Sequence, residues 1–319
     1  MPSPESFAPV AITRRSGFDE SVHYGAVVGL SATGEIEFAV GDPEAPIYPR
    51  SSNKPMQAVG MVRAGMALPP DLLALVCASH DGTPMHIEIA RRILATAGLD
   101  EACLANTADL PLDRESAQSV LRSGGGPTPI QMNCSGKHGG MLVTSAVNGW
   151  PTDASYLMPD HPLQRAISGT IDELAEEPHR HIGVDGCGSP AHVISLHGLA
   201  RAFRSIATGG AGTSGKSVYA AMTGHPEIVG GTGRDVTQLM LYVPGLMAKD
   251  GADGVFAAAL PDGRAVALKI ADGANRARPA VMVAALRALG VDVSEVEPLV
   301  TQWILGHGRR VGEVRAIAP

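Results

Sequence analysis

Aromatic side chains and positive charge are both scarce in this sequence. Phe, Tyr and Trp supply 4% of the 319 residues, and 25 Lys and Arg face 32 Asp and Glu, for a net charge of −7. A nucleic-acid binder wants the opposite, a basic face with rings for stacking. A small solute is therefore the expected partner, with no nucleic acid and no membrane. No uninterrupted apolar run approaches the roughly 20 residues that a membrane span requires. Arg14-Arg15 could open a twin-arginine export signal, but Asp19 and Glu20 stand where its apolar stretch would begin. The cytoplasm is the expected location. Cysteine is sparse too: Cys77, Cys103, Cys134 and Cys187 show no framework spacing, so in a reducing compartment they are thiols or ligands.

What is present is ordinary globular material. Hydrophobic residues make up 45% of the chain, and the length suits about two domains with a real core. Both ends read as strand. "YGAVVGLSATGEIEFAVGD" is an apolar run, a turn containing Gly34 and a second β-rich run, a hairpin signal. "DGVFAAALPDGRAVALKIADG" repeats it around Pro261-Asp262-Gly263, and "RRVGEVRAIA" closes the chain. The middle reads as helix: His86, Ile89, Ala90, Ile93, Leu94 and Ala97 share one face before Gly98. Similar spacing occurs in "HPLQRAISGTIDELAEE" and "LHGLARAFRSIA", and a late helix, "PAVMVAALRALG", lies between the terminal strands. The expected fold is α+β, an antiparallel sheet built from both termini and flanked by helices. Residues 1–53 and 218–319 would form the discontinuous sheet domain and 54–217 an inserted helical domain.

"GAGTSGKS", residues 210–217, matches the phosphate-loop pattern. That loop needs a buried strand to deliver it and a helix to receive it. The residues before Gly209 have helical apolar spacing instead, so an interhelical loop is the better account, with nucleotide binding kept as an alternative.

"YPRSSNKPMQA", residues 48–58, places Lys54 three positions after Ser51, where the expected sheet hands over to the helical insert. Clefts at such junctions favour small ligands. The bland reading is a serine N-cap with a solvated lysine. The chemical reading is a serine nucleophile whose proton is taken by a neutral lysine. Lysine titrates near 10.4, so making it half neutral at pH 7 costs about 4.6 kcal/mol. A helix N-terminus supplies only about 0.3 to 1 kcal/mol. Desolvation and a second cation are required. Pro55 disfavours helical geometry at Lys54, so the pair is expected in the turn before a helix that starts at Pro55.

The segments "RRSGFDESVHYG", "PRSSNKPMQA", "ASHDGTPMH", "NCSGKHGGM", "HPLQ", "VDGCGSP" and "AKDGADGV…ALKIADG" occur in that order from about residue 14 to residue 290. In this array the sequence resembles the asparaginase II family, whose fold is similar to serine β-lactamases and glutaminases. The resemblance implies an amidohydrolase acting on free L-asparagine, with Ser51 as nucleophile beside Lys54, and Ser79 with Lys249 as a second serine and lysine pair. It implies a zinc ion held by Cys134, Lys137 and Cys187, and a homodimer. Two thiolates are soft ligands suited to zinc, and His138 is a more conventional neighbour than lysine. Asp185 and Arg50 would receive the substrate's α-ammonium and α-carboxylate, with His138 nearby. His80 and His23 are open between structural and functional roles. Thr83 stands where the family usually shows a glutamate, which leaves asparagine against glutamine, or another serine amidase reaction, open.

Overall fold

The computed structural model describes residues 3–319. Eleven strands alternate with helices: β1 Ala8–Arg15, β2 Phe18–Leu30, β3 Ile36–Val40, β4 Pro46–Ile47, β5 His181–Val184, β6 Pro190–Ser195, β7 Met247–Asp250, β8 Val255–Ala259, β9 Ala265–Ile270, β10 Trp303–Gly306 and β11 Arg309–Ala316. Eight of them form one antiparallel sheet in the order β10-β11-β1-β2-β9-β8-β7, with β3 added on β2. The sheet thus joins both ends of the chain, as the two hairpin signals predicted. β2 is the long member: its first half pairs with β1 and its second half with both β3 and β9.

The central strands β8 and β9 are almost wholly buried and read as Val, Ala, Leu and Phe without alternation. Strands covered on both faces have that composition. On one face lies helix Leu196–Thr208, whose Leu199, Phe203 and Ile206 are fully buried. Helix Arg278–Ala288 also packs against β9 and β8. The remaining helices, Lys54–Arg63, Pro70–Val76, Pro84–Ala95, Ser135–Val147 and Pro162–Ala175 among them, assemble beside the sheet.

Several strands were not foreseen. β5 and β6 lie in the interval read as helical and form a small second sheet with β4. Every residue of β6 is buried, although it contains His192 and Ser195. β1 and the first half of β2 were likewise missed, because the exposed residues of "RRSGFDES" hide the strand alternation.

Residues 209–211 join helices Leu196–Thr208 and Gly212–Gly224, and residues 212–217 form the start of the second helix rather than the expected interhelical loop. Gly209 ends the first with φ +83°, and Lys216 is exposed. No strand leads into the segment, so its amides are not presented as a phosphate cradle.

Candidate active site

The chain passes from β4 through a tight turn, Arg50–Asn53, into helix Lys54–Arg63. Lys54 itself has helical angles, φ −57° and ψ −37°, so the helix begins one residue earlier than Pro55 suggested. Neither Ser51 nor Ser52 caps it. Ser52 Oγ instead donates to the Lys249 carbonyl at 3.0 Å, tying the turn to β7. Gly251 permits this approach, because a Cβ there would stand 2.6 Å from the Pro49 oxygen and 2.9 Å from Ser52 Oγ.

Lys54 is 1% exposed. Its Nζ donates to the Ala78 carbonyl at 2.5 Å, to Ser79 Oγ at 3.1 Å and to Cys134 Sγ at 3.2 Å. Three protons thus meet three acceptors, which offsets part of the cost of burying an ammonium. The pairing differs from the expectation. Lys54 is bonded to Ser79, whereas Ser51 Oγ, half-buried one turn back, makes no hydrogen bond to it among the described residues. The helix-face argument used Cα spacing, but a side chain as long as lysine reaches whatever acceptor lies behind its helix.

Lys249 is fully buried in β7, and its Nζ donates to the Asp250 carbonyl at 2.7 Å and carboxylate at 2.5 Å rather than to Ser79. Burial pushes its pKa down to about 8; Asp250 opposes this, while the Lys54 and Arg234 cations reinforce it. A cation beside another cation in a desolvated pocket is what a lysine base requires. Asp250 is shared with Arg234 at 2.5 Å and Arg278 at 3.5 Å. Burial works against its charge, yet these three cations hold its carboxyl well below the usual range.

Arg234 and Asp250 carried no sequence expectation. Arg234 joins the Ser79 carbonyl at 2.8 Å, Asp81 at 3.0 Å and Asp250, fixing the Ser79 and Lys249 segments to each other. The available signal was the charged pair Lys249-Asp250 in a strand buried at every position, "MAKD". Nothing in "GGTGRDV" distinguished Arg234.

On the other side of Lys54, Lys137 donates to Cys187 Sγ at 3.1 Å and Ser189 Oγ at 2.5 Å. Cys134, Lys137 and Cys187 are therefore brought together, with Ser189 added. Hydrogen bonding from Cys134, and then the Lys137 and His138 charges, drive the Cys187 thiol far below its ordinary range. The same bond, with burial, drives Cys134 up. Burial disfavours the Lys137 ammonium, but the Cys187 and Cys134 sulfurs overcome it and raise its pKa.

No group of three His, Cys, Asp or Glu among the described residues is arranged to hold a metal. The convergent donors are two sulfurs and one amine, with the buried, unpartnered Nε2 of His138 close by. That chemistry suits a soft ion such as zinc once Lys137 has released a proton.

The outer wall is charged. Arg50 donates from Nε to Asp185 at 2.9 Å, its Nη2 stands 2.8 Å from the same oxygen, and its Nη1 bonds Asp253. His138 Nδ1 is 2.8 Å from the Tyr156 hydroxyl. His80 Nδ1 accepts from the Gly82 amide and its Nε2 meets Ser135, while His23 meets Thr13 within the sheet, so both are satisfied by local partners. Thr83 Oγ1 pairs with His86 Nδ1 at 2.7 Å.

A family model described as L-asparaginase II matches residues 11–316, nearly the whole chain. The chain belongs to the L-asparaginase II family. Members of this family are amidohydrolases, which accords with the serine and amine cluster. No curated protein matches the chain. Among solved structures it is similar to Mglu in its native form, at 15% identity over 86% of this chain and 65% of that one, with a TM-score of 0.45. It is also similar to a Bacillus glutaminase, at 12% identity over 77% and 83% of the two chains and a TM-score of 0.42. A third likeness is to the probable glutaminase YbaS, at 17% identity over 85% and 87% and a TM-score of 0.40. The chain spans just under two thirds of the length of Mglu. Likeness at this level says nothing of the substrate. No described helix is long and apolar enough to cross a membrane.

Proposed function

We propose that this L-asparaginase II family member hydrolyses the side-chain amide of free L-asparagine to L-aspartate and ammonia. The observation that supports the reading is the buried cluster itself: Lys54 Nζ at 3.1 Å from Ser79 Oγ, with Lys249 lowered to about 8 by burial beside it. Ser51 is the more accessible serine and adjoins Arg50, so it is assigned as the nucleophile. Its Oγ attacks the carboxamide carbon, and its proton passes to Lys54 once that amine has given up one of its own, and from there to the departing ammonia. Ser79, bonded to Lys54, relays protons behind it, and loss of charge at Lys249 frees the cluster to accept one. Water then hydrolyses the acyl-enzyme to L-aspartate and restores Ser51. Arg50 receives the α-carboxylate and Asp185 the α-ammonium, with His138 at the inner wall.

Zinc belongs to the same proposal. Cys134, Lys137 and Cys187 would hold it, and the ion would supply a fixed positive charge that orients the substrate. Replacing both cysteines should remove stoichiometric zinc in elemental analysis; persistence of the metal overturns the ligand set. A homodimer in the cytoplasm completes the reading, with the mass in solution measured by light scattering as its test.

A glutaminase or another serine amidase uses the same cluster with a different pocket length, and Thr83 keeps that second reading open. The deciding experiment is ammonia release from L-asparagine, L-glutamine and D-asparagine. Preferential turnover of L-asparagine, abolished in Ser51→Ala with the melting temperature preserved, is expected. Faster turnover of glutamine overturns the substrate assignment, and an active Ser51→Ala overturns the nucleophile.

A further inference from the structure

The outer wall of the site holds one guanidinium between two carboxylates that differ in how firmly they are built in. Asp185 lies in a turn closed by its own amide on the Ser189 carbonyl at 2.9 Å and by the Gly188 amide on its carbonyl at 2.8 Å. Its Oδ1 also accepts from the Gly186 amide at 2.8 Å, and its side chain is 14% exposed. Asp253 is 59% exposed at the side chain, and its carboxylate has Arg50 as its one hydrogen-bond partner among the described residues. Its backbone, by contrast, is anchored, because Lys269 Nζ donates to its carbonyl at 2.7 Å.

Both members of the Arg50–Asp253 pair sit in the left-handed region, Arg50 at φ +52° and Asp253 at φ +54°. Non-glycine residues held there cost free energy and cluster where a ligand clamp or switch needs them. Asp185 takes Nε and Nη2, so the guanidinium donor facing the exposed side is Nη1, and Asp253 occupies it. A substrate α-carboxylate that takes that place pairs with Arg50 and leaves the buried Asp185 pair intact. Room for the displaced side chain exists. Asp253 lines a cavity of about 740 Å³ together with Tyr48, Arg180, His181 and Lys269, and the Arg180 and Lys269 cations suit a released carboxylate.

We propose that the Asp253 carboxylate is a latch on Arg50: it stands in for the α-carboxylate of the amino-acid substrate in the free protein and swings out when the substrate binds. The inference rests on the reading that Arg50 receives that carboxylate. The latch keeps Nη1 of Arg50 occupied between turnovers and sets a threshold that favours ligands carrying a free α-carboxylate over neutral amides. Asp253 is thus a specificity-determining residue that acts through Arg50.

The test is calorimetric titration of L-aspartate, which needs no turnover, into the full-length protein and its Asp253→Asn, Asp253→Ala and Arg50→Ala variants, with KM and kcat for L-asparagine measured alongside. Both Asp253 variants should bind L-aspartate about fivefold tighter, the size of an exposed ion pair, with the change in KM rather than kcat, while Arg50→Ala binds at least tenfold more weakly. Unchanged or weaker binding in the Asp253 variants, with binding lost in Arg50→Ala, overturns the latch and leaves the role of Arg50 intact. Undiminished binding in Arg50→Ala, or no binding by the unmodified protein, overturns that role and the latch with it.

Discussion

Lys249 and Lys137 are both fully buried, one on each side of the Lys54 amine, yet their acidities move in opposite directions. Desolvation disfavours the charged form of each. At Lys137 the Cys187 sulfur stands at 3.1 Å, and together with Cys134 it outweighs burial. At Lys249 the carboxylate is closer, 2.5 Å, but Asp250 is divided among Lys249, Arg234 and Arg278. Arg234 and Arg278 have Asp81 and Asp235 as further partners, so what favours the neutral form of Lys249 is burial first, reinforced by the Lys54 and Arg234 cations. A buried lysine becomes a base where burial and neighbouring cations together outweigh its nearest anion, however close that anion stands.

Replacing Lys249 breaks the comparison most directly. Lys249→Met should lower kcat for amide hydrolysis on the order of 10⁴-fold, measured by ammonia release, while leaving the far ultraviolet circular dichroism unchanged; a variant within tenfold of wild type contradicts the assignment. Removing the shared anion acts on stability instead. Asp250→Asn leaves Lys249 without its buried counter-charge, while Arg234 and Arg278 keep Asp81 and Asp235, and should cost about 3 to 5 kcal/mol in urea unfolding. It should also move the alkaline limb of activity below pH 8, since the one group opposing the downward shift of Lys249 is lost.

A subtler sharpening uses pH alone. Lys249 titrates at about 8 when folded and near 10.4 unfolded, so between those values the unfolded chain holds the extra proton and stability rises with pH. The rise attributable to this group is at most about 3 kcal/mol. Lys137 has the opposite sign: its folded pKa is raised, so its contribution is fully present below about 10.4 and declines only above that. The difference between wild type and Lys249→Met, from denaturant unfolding at pH 7.5 to 10, should therefore grow in favour of wild type with pH. A constant difference shows that Lys249 keeps its proton throughout.

Much of the fold was legible because its strongest signals are local. The hairpins at 24–42 and 253–273 and the helices at 84–95, 162–175, 196–208 and 278–288 each declare themselves by apolar period and turn residues. β5 and β6 did not, since "HIGV" is short and half-exposed and "PAHVIS" starts with proline and includes His192. Of the site, Lys54, Ser79, Cys134, Lys137 and Cys187 were named in advance and meet in space. Their partners were not predictable from spacing, because they are set by contacts between distant segments: Lys54 with Ser79, Arg234 with Asp250, Arg50 with Asp253. Lys216 shows the converse, a lysine in a well-formed motif that remains in solvent.

The most direct test of the two-amine account is the pH dependence of kcat/KM for L-asparagine between pH 6 and 10, with L-glutamine in parallel. Activity should climb with an apparent pKa of about 8, where Lys249 loses its charge, and the climb should vanish in Lys249→Met. A profile that is flat across that range, or one that falls through pH 8, contradicts a neutral amine as the base.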